Sequence, residues 1–379
     1  MTGTQRPLWG PVAMVEVRSE FRRFVRQGQQ PRKTGEMGPT EEDDPARDGG
    51  NFSRTKEPAV LPDGPVFGLL LLNWNDHINV VDCAESLLRS VHAPAKLYVV
   101  DNGSRPESTG YIRAHLASAI LVENRRNLGF CGGFNAGIRR ATEDNVDIIC
   151  VLNSDLRVGP DFLQALAEAF LDQGIAAAAP MELDYFEPDK ILFAGGRLDP
   201  VLNRREGYGV QASETPGTPR DTRMLCGPAM VFRATTLRTL GGFDERLFFG
   251  GEDHEMALRI LRAGMRIRYV PTAKVWHKGG FTGGGAGTPL MAFFGIRNYL
   301  LVARWYGSAI QKIAAWGMTV AVRIPRILLQ AVLKRNTLYL KGLKWSLTWF
   351  VNPRLVPSDA EVAEALVGPG RRASRRAGS

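Results

Sequence analysis

The feature that most constrains this chain is an alternation of apolar runs and helical segments that begins at Val66. Val66–Leu72 is continuously apolar, as expected of a strand covered on both faces. A helix is predicted over Ile78–Ser90, a second strand over Lys96–Val100 and a short third strand over Ala119–Val122. Helix at Phe134–Ala141, strand at Asp147–Leu152 and helix at Phe162–Asp172 continue the series. Such alternation gives an α/β fold with a mainly parallel sheet flanked by helices. Ligands bind in these sheets outside the carboxyl ends of the strands. The polar clusters Asn73–Asp76, Asp101–Ser104 and Asn153–Asp155 all fall at such ends, so three separate segments predict one crevice.

The rest of the chain is less regular. A strand is predicted over Arg223–Phe232, a turn at Gly241–Asp244, and a helix over Glu252–Ala263 stopped by Gly264. Ile267–Val270 reads as a strand ahead of Pro271, and Val275–Gly280 leads into the glycine-rich Gly283–Gly287. Residues 1–62 mix Gly, Pro, Gln and charge, and are expected to form a disordered or loosely attached arm with at most a short helix at Val12–Val25. Glu16, Glu20 and several arginines interrupt the first thirty residues, so no leader is expected. Four scattered cysteines without a CxxC pair argue against a disulfide framework or a zinc site. Both observations predict a cytoplasmic location.

Three places carry candidate chemistry. A carboxylate directly after a buried strand can hold a hard cation whose other ligands are phosphate oxygens, and Asp155 is the natural ligand, with Asn153 a neutral neighbour. Read alone, Asn153-Ser154-Asp155 is more often a turn. Glu252 and Asp253 open a helix, where carboxylates often only complement the dipole. Alternatively, one of them faces the crevice as general base, kept ionised by the helix N-terminus. Adjacent helix positions point apart, which favours Asp253 for that task. His277 sits between a strand and a glycine-rich loop, where it is either structural or a further metal ligand. The glycines of Asn127–Gly137 follow the third strand and lack the GxGxxG spacing of a dinucleotide site. They suit either close approach to a nucleotide or a tight helix entry.

Taken in order, these segments resemble glycosyltransferase family 2. Leu72-Asn73-Trp74-Asn75, Val100–Ser104, Asn127–Phe130 with Asn135 and Gly137, and Leu152–Asp155 carry the resemblance. Gly242–Glu245, Glu252-Asp253 with Arg259, Ala263-Gly264, His277–Gly280 and Arg297-Asn298 extend it, over about Val66 to Tyr306. The series looks closest to the rhamnosyltransferase-like and galactofuranosyltransferase-like branch. The resemblance implies a GT-A fold and an inverting single displacement from a nucleotide-diphosphate sugar to a lipid-linked or polysaccharide acceptor in cell-envelope glycan synthesis. By motif position, Asp101 would contact the nucleotide base, and Asn73, Asn75 and Asn127 would line the nucleotide pocket beside Asn153. Asp155, helped by His277, would hold Mg²⁺ or Mn²⁺, and Asp253, beside Glu252, would be the base. The chain departs from the family at Asn153, where the first acid of Asp-x-Asp is usual, at Gly250-Gly251, and at Glu255.

The net charge of +9 is unevenly placed: no acidic residue occurs between Glu255 and Asp359, against 16 Lys and Arg. That block implies an anionic partner. Ala314–Leu333 is apolar but holds Arg323, Pro325 and Arg326, and each mid-span Arg costs about 2.5–3.5 kcal/mol in a bilayer centre. With Trp305, Trp316, Trp345 and Trp349 nearby, an amphipathic region on an anionic membrane face is expected, peripheral on the inner side. No nucleic-acid motif accompanies it. The predicted organisation is an arm (1–62), a transferase domain (63–306, donor half 63–158 and acceptor half 159–306), a basic helical region (307–358) and a disordered basic tail (359–379). The competing readings are a sugar-phosphate nucleotidyltransferase, which would need a glycine- and arginine-rich loop after the first strand, and a non-catalytic assembly protein on a degenerate transferase fold.

Overall fold

The computed structural model describes residues 64–90, 94–201, 203–214, 217–279 and 288–367. The expected arm at 1–62 and the glycine-rich Gly283–Gly287 lie outside the described residues. The first half runs β1 (Phe67–Asn73), α1 (His77–Arg89), β2 (Ala95–Asn102), α2 (Pro106–His115), β3 (Ile120–Asn124), α3 (Gly129–Glu143), β4 (Ile148–Leu152). It continues with β5 (Leu156–Val158), α4 (Phe162–Ala169), β6 (Ile175–Asp184), β7 (Ile191–Phe193), β8 (Gly196–Leu198), β9 (Asn203–Arg205), β10 (Arg220–Thr222), β11 (Ala229–Arg233) and α5 (Ala234–Leu240). Then come α6 (Glu252–Arg262), β12 (Arg266–His277), α7 (Pro289–Tyr306), α8 (Ala309–Met318), α9 (Ile324–Leu333), α10 (Leu338–Val351) and α11 (Asp359–Leu366).

One sheet has the order β10-β12-β6-β11-β4-β1-β2-β3. β1 lies parallel to both β2 and β4, and β2 is parallel to β3, which makes the expected parallel core. β11 enters antiparallel between β4 and β6, and β12 is parallel to β6. The strand expected over Arg223–Phe232 is therefore only its second half. Residues 223–228 form a loop that hangs from the carboxyl end of β4, where Asn153 N donates to Pro228 O at 2.9 Å. β12 runs through Pro271 instead of ending before it. The register shifts between Val270 and Lys274, and such an irregularity is where a strand can accept proline.

α3 shows what the glycines after β3 do. Gly129 takes φ +73° and starts the helix five residues earlier than expected. Further along, a Cβ on Gly133 would fall 2.6 Å from Leu72 Cδ1, and one on Gly137 2.7 Å from Val100 Cγ2. These two positions, one turn apart, bring the helix backbone down onto β1 and β2.

The C-terminal helices form their own apolar clusters around α7. One joins Ala292, Ile296, Leu300 and Ala303 to Ala315, Ile327, Ala331, Tyr339 and Leu343. The other packs Phe293 and Phe294 against Phe248, Val362, Ala363 and Leu366. α11 is closed at its start by a capping box of Ser358 and Glu361. Residues 359–366 are thus a packed helix where a disordered tail is expected from the sequence; the apolar stripe Val362, Ala363, Leu366 is too short to stand out without its partner α7.

Candidate active site

One side of the site is assembled from the ends of β1, β2 and β4. Asn73 is fully buried; its amide donates to Asp101 Oδ1 at 2.7 Å and to Ser104 Oγ and Ser108 Oγ at 3.0 Å each. The second oxygen of Asp101 accepts from Ser104 N at 3.1 Å. Asn73, expected to line the pocket, instead holds Asp101 and the turn after β2. Asn75 adopts φ +56°, donates its N–H to Ser104 Oγ at 3.0 Å and accepts from Arg105 N at 2.9 Å, so it too pins this turn. Asn127 accepts from Gly129 N at 2.8 Å and from Asn102 Nδ2 at 2.9 Å. Asn102, 1% exposed, also donates to Gly129 O and accepts from Leu128 N. Sequence reasoning passed over Asn102 because Asp101–Ser104 reads as an ordinary turn.

At the end of β4, Ser154 Oγ donates to Asp76 Oδ2 at 2.8 Å, and Asp155 is 2% exposed. The pairing of β5 with β12 sets Leu156 opposite His277, which brings Asp155 to the histidine. Asp155 Oδ1 lies 3.3 Å from His277 Nε2, but the two are not aligned as a hydrogen bond and Oδ1 has no hydrogen-bond partner. On its other side, His277 Nδ1 lies 2.7 Å from Glu182 Oε1, a carboxylate 3% exposed on β6. Burial opposes charging His277, yet Asp155 and Glu182 outweigh it and raise its pKa to about 10. Nothing in the local sequence around Met181-Glu182-Leu183 marks Glu182; only the β6–β12 pairing brings it to the histidine.

On the other side, α6 opens with Glu252 and Asp253 after Gly251 at φ +91°. Glu252 is 8% exposed, its Oε2 is buried without a partner, and burial followed by the Asp253 charge pushes its pKa up to about 8. Asp253 points at the loop before β11: a Cβ on Gly227 would sit 3.2 Å from Asp253 Oδ2. The same loop reaches the histidine pair, because Cys226 Sγ contacts Glu182 Oε2 at 3.8 Å. Cys226-Gly227-Pro228 therefore touches Asn153, Glu182 and Asp253 at once. The structure brings Asn153, Asp253 and Glu182 against one loop, with His277 and Asp155 behind Glu182, while Asn73, Asn75, Asp101 and Asn127 form the adjoining wall.

This arrangement has counterparts. Residues 74–234 match the family described as glycosyl transferase family 2, and residues 209–278 match the N-terminal domain of galactosyltransferase. Residues 74–234 form a glycosyltransferase family 2 domain. The pre-mycofactocin glycosyltransferase of Mycobacterium tuberculosis is 29% identical over 185 residues, covering 48% of this chain and 37% of that protein. The N-acetylglucosaminyl-diphospho-decaprenol L-rhamnosyltransferase of the same organism is 27% identical, covering 51% of this chain and 69% of the relative. Galactofuranosyltransferase GlfT1 of Mycolicibacterium smegmatis is 28% identical, covering 48% and 61%. The chain thus spans little more than a third of the first of these relatives. The fold is also that of the crystal structure of GalNAc-T7 with UDP, GalNAc and Mn²⁺, at TM-score 0.51, 18% identity and coverage of 64% of this chain and 48% of that one. The family match and the shared fold place the transferase domain in the GT-A class.

Proposed function

We propose that this protein is an inverting glycosyltransferase that moves a sugar from a nucleotide-diphosphate donor to a lipid-linked or polysaccharide acceptor of the cell envelope. The observation that carries the reading is the loop Cys226-Gly227-Pro228, against which Glu182, the partner of His277, and the Asp253 carboxylate both converge. The family membership and the printed activities of the rhamnosyl- and galactofuranosyltransferase relatives support the same class.

A divalent metal fits the residues present. Among the described residues no group of three or more His, Cys, Asp or Glu could hold one alone. Two ligands, Asp155 with an unpartnered oxygen and His277, suit an ion that completes its shell with donor phosphates, as Mg²⁺ does. Glu182 would hold the Nδ1 proton, as acidic partners of metal-bound histidines do, and the ion would take the place of the Nε2 proton that His277 otherwise keeps. Such an ion would offset charge on the leaving diphosphate. Asp101, Asn75 and Asn127 would border the nucleotide, with Asn73 and Asn102 holding them. Asp253 would take the proton of the acceptor hydroxyl as its oxygen bonds to the anomeric carbon and the bond to the diphosphate breaks. Glu252 is held largely neutral by burial beside the Asp253 charge, which leaves the base's task to Asp253. The segment after β1 is Asn73-Trp74-Asn75-Asp76, without the glycine-arginine loop that nucleotidyl transfer would need.

The C-terminal layer supports a place on the inner membrane face. Ala309–Leu333 is one helix long and apolar enough to cross a bilayer, with only 22% of its apolar window buried. Ala315, Thr319, Ile327 and Ala331 form a narrow seam toward the protein, while Ile313, Val320, Val332 and Leu333 are exposed. Arg323 is turned onto Tyr299, 3.7 Å from its ring centre, so one mid-helix charge is folded inward. Exposed apolar surface on this scale calls for a partner, and the basic sequence around it favours anionic lipid.

The first test is a thermal-shift and nucleoside-diphosphate-release screen of dTDP-, UDP- and GDP-sugars with and without Mg²⁺ or Mn²⁺. One donor is expected to stabilise the protein in a metal-dependent way and to turn over with acceptor; no response to any donor would refute the reading. Flotation on phosphatidylglycerol-containing vesicles tests the membrane claim. Ile313→Ser, Val320→Ser and Val332→Ser together are expected to release the protein, and unchanged flotation would refute it.

A further inference from the structure

The turn that delivers Asp253 is strained, and its restraints come from far along the chain. Phe248 stands at φ 59°, ψ −59°, a conformation that side chains rarely adopt, and Gly250 and Gly251 follow at φ +84° and +91°. Strain of this kind persists only where surrounding structure over-determines it. Here the restraint is Arg297-Asn298 on α7. The Asn298 amide donates to Leu247 O at 2.8 Å, Phe249 O at 2.9 Å and Gly250 O at 2.6 Å, its two hydrogens shared among three carbonyls. Arg297 Nη2 donates to Leu247 O at 3.0 Å and Arg246 O at 3.2 Å, and its Nε holds Asn298 Oδ1 at 2.9 Å.

Arg297 is itself fixed. It is 1% exposed, its guanidinium lies 5.0 Å and 4.9 Å from the ring centres of Phe293 and Phe294, and Asp359 in the first turn of α11 binds its Nη1. The Phe248 ring stacks on Phe294 at 5.4 Å. On the opposite side the turn rests on the donor wall. Cys131 N donates to Phe248 O at 3.3 Å, and a Cβ on Gly129 would come within 2.4 Å of that oxygen. The turn is therefore held between the start of α3 and Arg297-Asn298, with the last helix closing the grip.

We infer that Arg297, Asn298 and Asp359 are positioning residues for the carboxylate that takes the acceptor proton, an inference that rests on Asp253 being that base. They touch no reacting atom. They fix the backbone of Leu247–Gly251, whose direction sets where the first turn of α6 aims Asp253. The C-terminal helix is then part of the transferase domain, and truncation at residue 307 would disable the base along with any membrane contact.

The test compares Asn298→Ala, Asp359→Asn and Asp359→Glu with wild type, using the nucleotide sugar that wild type turns over. Hydrogen exchange of the full-length protein is followed over Leu247–Glu255 and over β1 and β4. Asn298→Ala is expected to lower kcat by about 100-fold, the scale of an ångström misplacement of a reacting group, with donor KM within about 2-fold. Amides of Phe249–Glu255 should exchange faster while β1 and β4 keep their protection. Asp359→Asn should shift both readouts the same way by less, and Asp359→Glu should restore them in part. Unchanged kcat and exchange in both Asn298→Ala and Asp359→Asn would overturn the inference, as would parallel loss of kcat, donor KM and β1 protection. Should Asn298→Ala fail to fold, Asp359→Asn decides alone. If Asp253→Asn itself keeps its rate, the assignment of the base has failed; if it loses its rate while Asn298→Ala does not, only the positioning claim has.

Discussion

The two sides of the crevice are built differently. The proposed donor wall is made at the ends of neighbouring parallel strands, where Asn73 braces Asp101 across β1 and β2 and Asn102 ties β2 to the start of α3. The side that carries the proposed base is made by a strained turn whose supports, Arg297, Asn298 and Asp359, lie far along the chain and outside the sheet. The donor wall inherits its geometry from β pairing. The base side depends on tertiary packing of the C-terminal helices, and so should be the easier side to disturb without unfolding the protein.

Substitutions on the two sides should separate accordingly. The largest effect is expected from Asp253→Asn, which should lower sugar transfer by about 10²–10⁴-fold, the usual range for a lost general base, with donor affinity intact. Steady-state transfer assays check it. On the donor side, Glu182→Gln should weaken Mn²⁺ binding in the presence of nucleoside diphosphate by about 10–100-fold, as measured by calorimetry, through loss of the fixed His277 tautomer. Gly227→Ala sits between the two sides. A Cβ there presses on Asp253 Oδ2 at 3.2 Å, so kcat should fall by about 10-fold with little change in melting temperature. A mild change in both would sharpen the comparison, and loss of donor binding would break it.

The smallest effect concerns pH. The carboxyl of Glu252 is raised in the folded protein to about 8 by burial and by Asp253. Between its ordinary value and that one, the folded state holds a proton that the unfolded state has released. Stability should therefore decline as pH rises from about 4.5 to about 8 and level off above. Glu252→Gln should flatten this decline, and denaturant unfolding at pH 5 and pH 8 measures it.

Much of the donor wall was legible in the sequence because a polar residue right after an apolar strand has few places to go. Asp101 and Asp155 stand at the carboxyl ends of β2 and β4 as their spacing requires. The roles within the wall were less legible: Asn73 and Asn75 hold the turn, which depends on Ser104 and Ser108 arriving from another segment. Glu182 was invisible, since its meaning arises from a strand pairing between residues nearly a hundred positions apart. The loop at Cys226–Pro228 was obscured by the apolar residues on both sides of it, which extend the strand pattern. α11 was hidden by its short apolar stripe and the basic residues that follow.

The most direct measurement of the central claim titrates UDP, dTDP and GDP with Mn²⁺ into wild type and Asp253→Asn in parallel, while transfer from the matching nucleotide sugar is followed. The account predicts equal metal-dependent binding of one nucleoside diphosphate by both proteins and transfer by wild type alone. Transfer by both, or loss of binding together with transfer in Asp253→Asn, would contradict it.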